Sequence, residues 1–201
     1  PIALAMHRAG LTPNMLTLIG FAIASLGGVL AAFELWVLAG IVATAGAGFD
    51  MFDGAVARAT GQVSKLGAFM DSTFDRWGEG IVYLGIVIGA TRAGFDLGAW
   101  LATAALVSAF MVSYTRAKSE SLGFSSGTGM AAIGFAPREV RTVILGIAVV
   151  AAGIFGVTAD LFELGSLILA IGLGAIVVLA TITVIQRVRF VTSQDPNPTN
   201  D

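Results

Sequence analysis

FDMFDGAVARATGQVSKLGAFMDSTFDR, residues 49–76, is the stretch on which the fold turns. It carries Asp50, Asp53, Asp71 and Asp75 inside a chain that is otherwise very poor in charge. Asp50, Asp53, Gly54 and Ala57 recur at i, i+3, i+4 and i+7, the spacing of one helix face. Gly67, Asp71 and Asp75 recur at i, i+4 and i+8, again one face. A short polar turn over 60–65 joins the two runs. The pattern predicts two antiparallel helices that point four carboxylates at one another across a small gap. Like charges that close repel, so the cluster calls for cations.

Working outward, both runs continue into long apolar segments. The chain has 201 residues, 56% hydrophobic and only 12% charged, where a soluble domain carries about 25% charge. Such a composition needs lipid as its solvent. The net charge of −2 excludes little, because the distribution of charge matters more than its sum, and no nucleic-acid partner is expected. There is no cysteine, so disulfides and thiolate metal sites are ruled out, and oxygen ligands for a hard cation remain. The chain opens on Pro1 rather than methionine, so further residues are expected before it and no targeting signal is readable.

In order, residues 1–12, with His7 and Arg8, suggest a short helix lying on the membrane surface. Thr12 is placed to cap a helix that starts at Pro13. Apolar runs follow over 14–33, 35–58, 66–90, 97–114, 140–157 and 161–184. The expectation is an all-α, polytopic membrane protein: an interfacial segment over 1–12, one domain of six transmembrane helices over 13–190, and a disordered polar tail over 191–201. A Ser/Gly-rich loop is expected over 119–134. With both termini cytoplasmic, Arg8, Arg58, Lys65, Arg116, Lys118, Arg138, Arg141, Arg187 and Arg189 fall at inner ends and only Arg92 outside. This positive-inside asymmetry puts the aspartates on the cytoplasmic side of a multi-pass protein of the cell membrane. Gly40, Ala43 and Ala47 supply the small residues that close helix contact in lipid requires.

Carboxylates within a membrane helix are costly and mark function by default. Four together suit one or two divalent cations, and Mg²⁺ is the usual choice where phosphate is also bound. Gly54 and Gly67 leave room for a ligand to approach the backbone, and Arg58 is placed to neutralise a phosphate. A structural ion-pair cluster of Asp50, Asp53 and Arg58 with Asp71, Asp75 and Arg76 is the bland alternative, disfavoured by the cost of burial. A divalent-cation transporter is the functional alternative, although the carboxylates sit at one end and no internal repeat is visible. A second constellation is Arg116 and Lys118 at the end of the fourth run, with Arg138 and Arg141 sharing a face at the start of the fifth. Cations at a helix N-terminus oppose its dipole, so either they bind an acceptor phosphate or they are membrane-surface anchors. Glu79 extends the Asp71–Asp75 face by a turn, toward a role in tuning the site or in packing.

The pattern Asp50-x2-Asp53-Gly54-x2-Ala57-Arg58-x8-Gly67-x3-Asp71-x3-Asp75 resembles the signature of the CDP-alcohol phosphotransferase (CDP-alcohol phosphatidyltransferase) family at every defined position. Thr12-Pro13-Asn14 and Ser113-Tyr114 ahead of the basic pair are similar to the family too, so the resemblance covers most of the chain. It implies a transferase that moves a substituted phosphate from a CDP-linked lipid, CDP-diacylglycerol or an archaeal analogue, to an alcohol, with CMP as leaving group. It implies that Asp50, Asp53, Asp71 and Asp75 bind two Mg²⁺ ions, with Mn²⁺ an acceptable substitute, and that Asp75 is the catalytic base. Thr12, Asn14, Asp50, Gly54, Ala57, Arg58, Gly67 and Asp71 would bind the nucleotide. Within the family the chain is most similar to phosphatidylinositol-phosphate and archaetidylinositol-phosphate synthases. This points to a phosphorylated polyol as acceptor, with inositol 1-phosphate first and the glycerol 3-phosphate of a phosphatidylglycerophosphate synthase second. Arg116, Lys118, Arg138 and Arg141 would hold its phosphate. Such proteins are usually homodimers.

Overall fold

The structure, a computed structural model, describes residues 2–124, 130, 133–156 and 162–194. Seven helices account for nearly all of it, and no strand occurs among the described residues. A seven-residue helix α1 (Ile2–Arg8) precedes six long ones: α2 (Pro13–Ala32), α3 (Trp36–Thr60), α4 (Lys65–Arg92), α5 (Asp96–Ser121), α6 (Arg138–Phe155) and α7 (Phe162–Gln194). Their starts follow the sequence. The Thr12 hydroxyl accepts a hydrogen bond from the Met15 N–H at 3.3 Å, with Pro13 in the first turn. Ser64 caps α4 in the same way through the Gly67 N–H at 3.0 Å. Gly61, at φ 68°, ends α3 in the left-handed conformation that glycine adopts freely.

Four of the six long helices, α2, α3, α5 and α7, are long and apolar enough to cross a membrane, with mean hydropathy reaching 2.8 in α7. This corrects the expectation of six transmembrane helices: length and apolarity support four. α4 falls short because Asp71, Asp75, Arg76 and Glu79 interrupt it, and α6 because Arg138, Glu139 and Arg141 occupy its first turn. The two helices that miss the criterion are those that bring most of the charge to the site. α7 also continues through residues 191–194, assigned above to a disordered tail. Residues 195–201, residues 125–129 and 131–132 of the expected loop, and the turn over 158–160 lie outside the described residues.

The gap between α3 and α4 has an unexpected origin. The two helices follow one another in sequence but scarcely touch, because α2 is wedged between them. Glycines on two faces of α2 make this possible. A Cβ at Gly27 would lie 2.6 Å from the Ala43 backbone of α3, and one at Gly28 would lie 2.5 Å from the Ile81 carbonyl of α4. α4 answers with Gly85, where a Cβ would collide with the Gly28 carbonyl oxygen. Small residues let helix backbones approach where lipid supplies no hydrophobic drive. α6 packs on the other side of α3, where Gly146 accommodates Thr44 and Gly40 accommodates Val150. α7 joins α6 to α5.

Neither glycine has room for a methyl group, since one at Gly28 would meet the Ile81 carbonyl and one at Gly85 the Gly28 carbonyl, both backbone. Gly85→Ala is therefore expected to cost about 1–3 kcal/mol or more by overpacking, read as a lowered melting temperature of the solubilised protein. An unchanged melting temperature would mean that α2 and α4 are not in backbone contact.

Candidate active site

The carboxylates gather where the C-terminal half of α3 and the N-terminal half of α4 diverge around the start of α2. Asp53 is buried, and its Oδ2 accepts a 2.6 Å hydrogen bond from the Thr17 hydroxyl of α2. Its Oδ1 accepts from the Gly54 N–H. Asp50 lies against Gly20 of α2, where any side chain would displace it: a Cβ there would be 2.5 Å from Asp50 Oδ1. Thus α2 shapes the site without contributing a charge.

Asp50 and Asp75 are joined by a third helix. Arg138, the first residue of α6, donates from Nη2 to Asp50 Oδ2 at 2.7 Å and pairs through Nη1 with Asp75 Oδ2 at 2.7 Å. One guanidinium fork thereby ties α3, α4 and α6 together. As the side chains are placed, no group of three or more His, Cys, Asp or Glu among the described residues converges on a common point. The donor chemistry nevertheless fits a hard divalent cation: four carboxylates and no softer ligand. The cation-like demand of Asp50 and Asp75 is met by Arg138.

One turn further along both helices a second pair repeats the pattern. Arg141 donates to Glu79 from Nε and Nη2 at 3.1 and 2.9 Å, and from Nη1 to the Ala136 carbonyl at 2.8 Å. Arg76 adds a 3.3 Å contact to Glu79 and a longer one to Asp75. Arg141 is 1% exposed. Its guanidinium is engaged by Glu79 and the Ala136 carbonyl, at the wall of the cleft described below. The i, i+3 spacing of Arg138 and Arg141 did place both on one face, toward α4. Because α4 and α6 are not packed backbone against backbone, it is the long arginine side chains that cross between them.

The nucleotide candidates collect at the same end of the bundle. Arg58 curls over Gly54, with Nη1 3.2 Å from the position a Cβ would take. Asn14 Oδ1 lies 3.5 Å from the corresponding position at Gly67, beside the Ser64 cap. Thr12 caps the helix that carries Asn14 and Thr17. Ala57, half-buried, accepts the capping N–H of Gly61 at the end of α3. Both glycines leave space that a side chain would otherwise fill.

The acceptor candidates divide. A cleft of about 860 Å³ opens between α4, α5, α6 and α7. Asp71 and Asp75 line one wall, and Ser113, Arg116, Arg138, Arg141 and Arg187 line others. Arg116 is exposed and pairs with Glu120 at 3.0 Å. Lys118, also exposed, does not line the cleft. Arg187 was read from sequence only as an inner-end charge, yet it is 3% exposed. It donates to the Ile133 carbonyl at 3.0 Å and to the Val112 carbonyl. Thr183, one turn before it, receives the Phe135 and Ala136 N–H groups at 3.1 and 3.0 Å. Together they anchor the segment that leads into Arg138. Sequence reasoning missed Thr17, Thr183 and Arg187. A signal was present for the last pair, because Thr183 and Arg187 stand at i, i+4 on an apolar helix.

The model of the CDP-alcohol phosphatidyltransferase family matches residues 10–186. Archaetidylinositol phosphate synthase of Pyrococcus horikoshii is 39% identical over 192 residues, covering 93% of this chain and 87% of that protein. A crystal structure of Mycobacterium tuberculosis phosphatidylinositol phosphate synthase with CDP-DAG bound is similar over 100% of this chain and 96% of its own, at 27% identity and a TM-score of 0.83. The same enzyme in complex with manganese and citrate gives a TM-score of 0.81 at 26% identity, over 100% of this chain and 91% of that one.

Proposed function

This chain belongs to the CDP-alcohol phosphatidyltransferase family, and from that premise we propose that it transfers the phosphatidyl-type group of a CDP-linked lipid to inositol 1-phosphate, releasing CMP. It is a multi-pass membrane protein and a transferase of substituted phosphate groups. The observation that carries the finer reading is the shared cleft: Asp71 and Asp75 face Arg116, Arg138 and Arg187 across one space of about 860 Å³. A phosphorylated acceptor placed there has arginines for its phosphate and a carboxylate for its hydroxyl.

In this reading all six long helices cross the bilayer, with the site on the cytoplasmic side, where a lipid's polar head meets the carboxylates while its acyl chains stay in lipid. Asp50, Asp53, Asp71 and Asp75 hold one or two divalent cations, Mg²⁺ or Mn²⁺; the relative solved with manganese supports this. When bound, the cations neutralise the diphosphate and stabilise the charge on departing CMP. Asp75 takes the proton from the acceptor hydroxyl. The hydroxyl oxygen then bonds to the lipid-bearing phosphorus as the bond from that phosphorus to CMP breaks. Thr17 fixes Asp53 in one rotamer, and Gly54, Gly67, Asn14 and Arg58 leave and line the nucleotide space. Arg116 and Arg138 orient the acceptor phosphate, with Arg141 and Arg187 held by protein partners at the cleft wall. The same reading includes a homodimer.

The acceptor is tested by CMP release from CDP-diacylglycerol, or its archaeal ether analogue, with Mg²⁺ present. Release is expected with inositol 1-phosphate and not with free inositol, which lacks the phosphate. Release with glycerol 3-phosphate and none with inositol 1-phosphate would reassign the chain to phosphatidylglycerophosphate synthesis.

A further inference from the structure

We propose that Arg138 is the internal counter-ion of the carboxylate site, and that a divalent cation entering the site takes its place and releases the guanidinium to the acceptor cleft. This rests on the reading of the aspartates as cation ligands. Arg138 spans Asp50 Oδ2 and Asp75 Oδ2, at 2.7 Å each. These are carboxylates from two helices that scarcely touch and that α2 separates, so the fork bridges directly what α2 holds apart. The three side chains are 19, 13 and 11% exposed. A negative charge that sheltered is favoured by a positive partner, and the fork supplies one to both carboxylates. A metal ion needs the same oxygens. Fork and cation therefore compete, and among the described residues no three such ligands converge with the fork in place.

The exchange needs only a side chain to move. The backbone ahead of Arg138 is pinned by Thr183, through the Phe135 and Ala136 N–H groups, and by Arg141 on the Ala136 carbonyl. Arg138 is the first residue of α6, where the helix dipole disfavours a cation and favours an anion. Freed from the carboxylates, its guanidinium has the cleft it already lines. An acceptor phosphate arriving there meets the charge the aspartates have given up. Arg138 is thus a positioning residue that couples loading of the cation to binding of the acceptor, and it imposes an order: cation first, acceptor second.

The test is Mn²⁺ binding to the full chain in detergent, followed by the electron paramagnetic resonance signal of the free ion. Arg138→Gln is expected to bind Mn²⁺ about tenfold more tightly than wild type, equivalent to about 1.4 kcal/mol of relieved competition. Arg138→Lys, with one ammonium in place of a fork, is expected to fall between. Without Mn²⁺, Arg138→Gln is expected to melt below wild type, and Mn²⁺ is expected to raise its melting temperature by more than it raises that of wild type. Equal or weaker binding by Arg138→Gln overturns the exchange. If that variant does not fold without metal, Arg138→Lys decides, and equal or weaker binding by it overturns the exchange in the same way. Absence of Mn²⁺ binding in wild type and both variants removes the cation reading itself, whereas binding of equal strength in all three removes only the exchange.

Discussion

Replacing Asp75 by Asn is expected to lower CMP release by about 10²–10⁴-fold, the range typical of a lost general base, while the protein stays folded and still binds the CDP-lipid. Asn keeps the shape of Asp, and its carbonyl oxygen still accepts from Arg138, whose Nη1 now lies 2.7 Å from Asp75 Oδ2. The bridge from α6 to α4 is weakened but not removed, because Arg138 keeps Asp50. Donor contacts assigned to Asn14, Gly54, Arg58 and Gly67 lie on other helical turns and are untouched. The loss is therefore expected in kcat, with the KM for the donor little changed. Turnover within tenfold of wild type would remove Asp75 as the base. A large rise in the donor KM at near-normal kcat would instead make Asp75 mainly a ligand of the cation–diphosphate assembly.

Replacing Arg141 by Met is expected to act first on stability, by about 3–5 kcal/mol. Arg141 is 1% exposed and satisfies both Glu79 oxygens as well as the Ala136 carbonyl. Its removal leaves a sheltered carboxylate with only Arg76, at 3.3 Å, and a buried carbonyl without a donor. Both costs exceed the packing a methionine restores. For a chain of this size such a loss lowers the melting temperature by roughly 10 °C. The double variant Glu79→Met with Arg141→Met is expected to recover much of it, because replacing a buried pair by apolar groups is far cheaper than breaking one. A melting temperature near that of wild type, with a raised acceptor KM, would instead support the acceptor-binding role that its sequence position suggested.

Arg138 and Arg141 show where sequence reading reaches its limit. Their spacing put them on one face of α6, and their position at a helix start called for a negative partner. In the fold Arg138 lies against Asp50 and Asp75, and Arg141 against Glu79. The identity of that partner was not legible, because it depends on which helix lies opposite. Asp75 and Glu79 stand one turn apart on α4 and Arg138 and Arg141 one turn apart on α6, so the two pairs match as a ladder. One arginine of the pair closes on the carboxylate site at the edge of the cleft, and the other is buried beneath it. Arg187 makes the same point from α7. In sequence it is one more inner-end cation, whereas in the fold it holds two backbone carbonyls at the cleft wall.

The sequence by itself determined the helices, the family and the aspartate set. Helix periodicity, capping residues and carboxylate spacing act over a few residues, and the signature runs through only two consecutive helices. Apolar length supports four spans rather than six, since charge interrupts α4 and α6. Only the tertiary structure decided that α2 separates α3 from α4, that Thr17 fixes Asp53, and that the four candidate acceptor cations have different fates. These outcomes depend on close approach between helices distant in sequence. Glycines at positions 27, 28 and 85 allow that approach, but no local rule says which helix will use them.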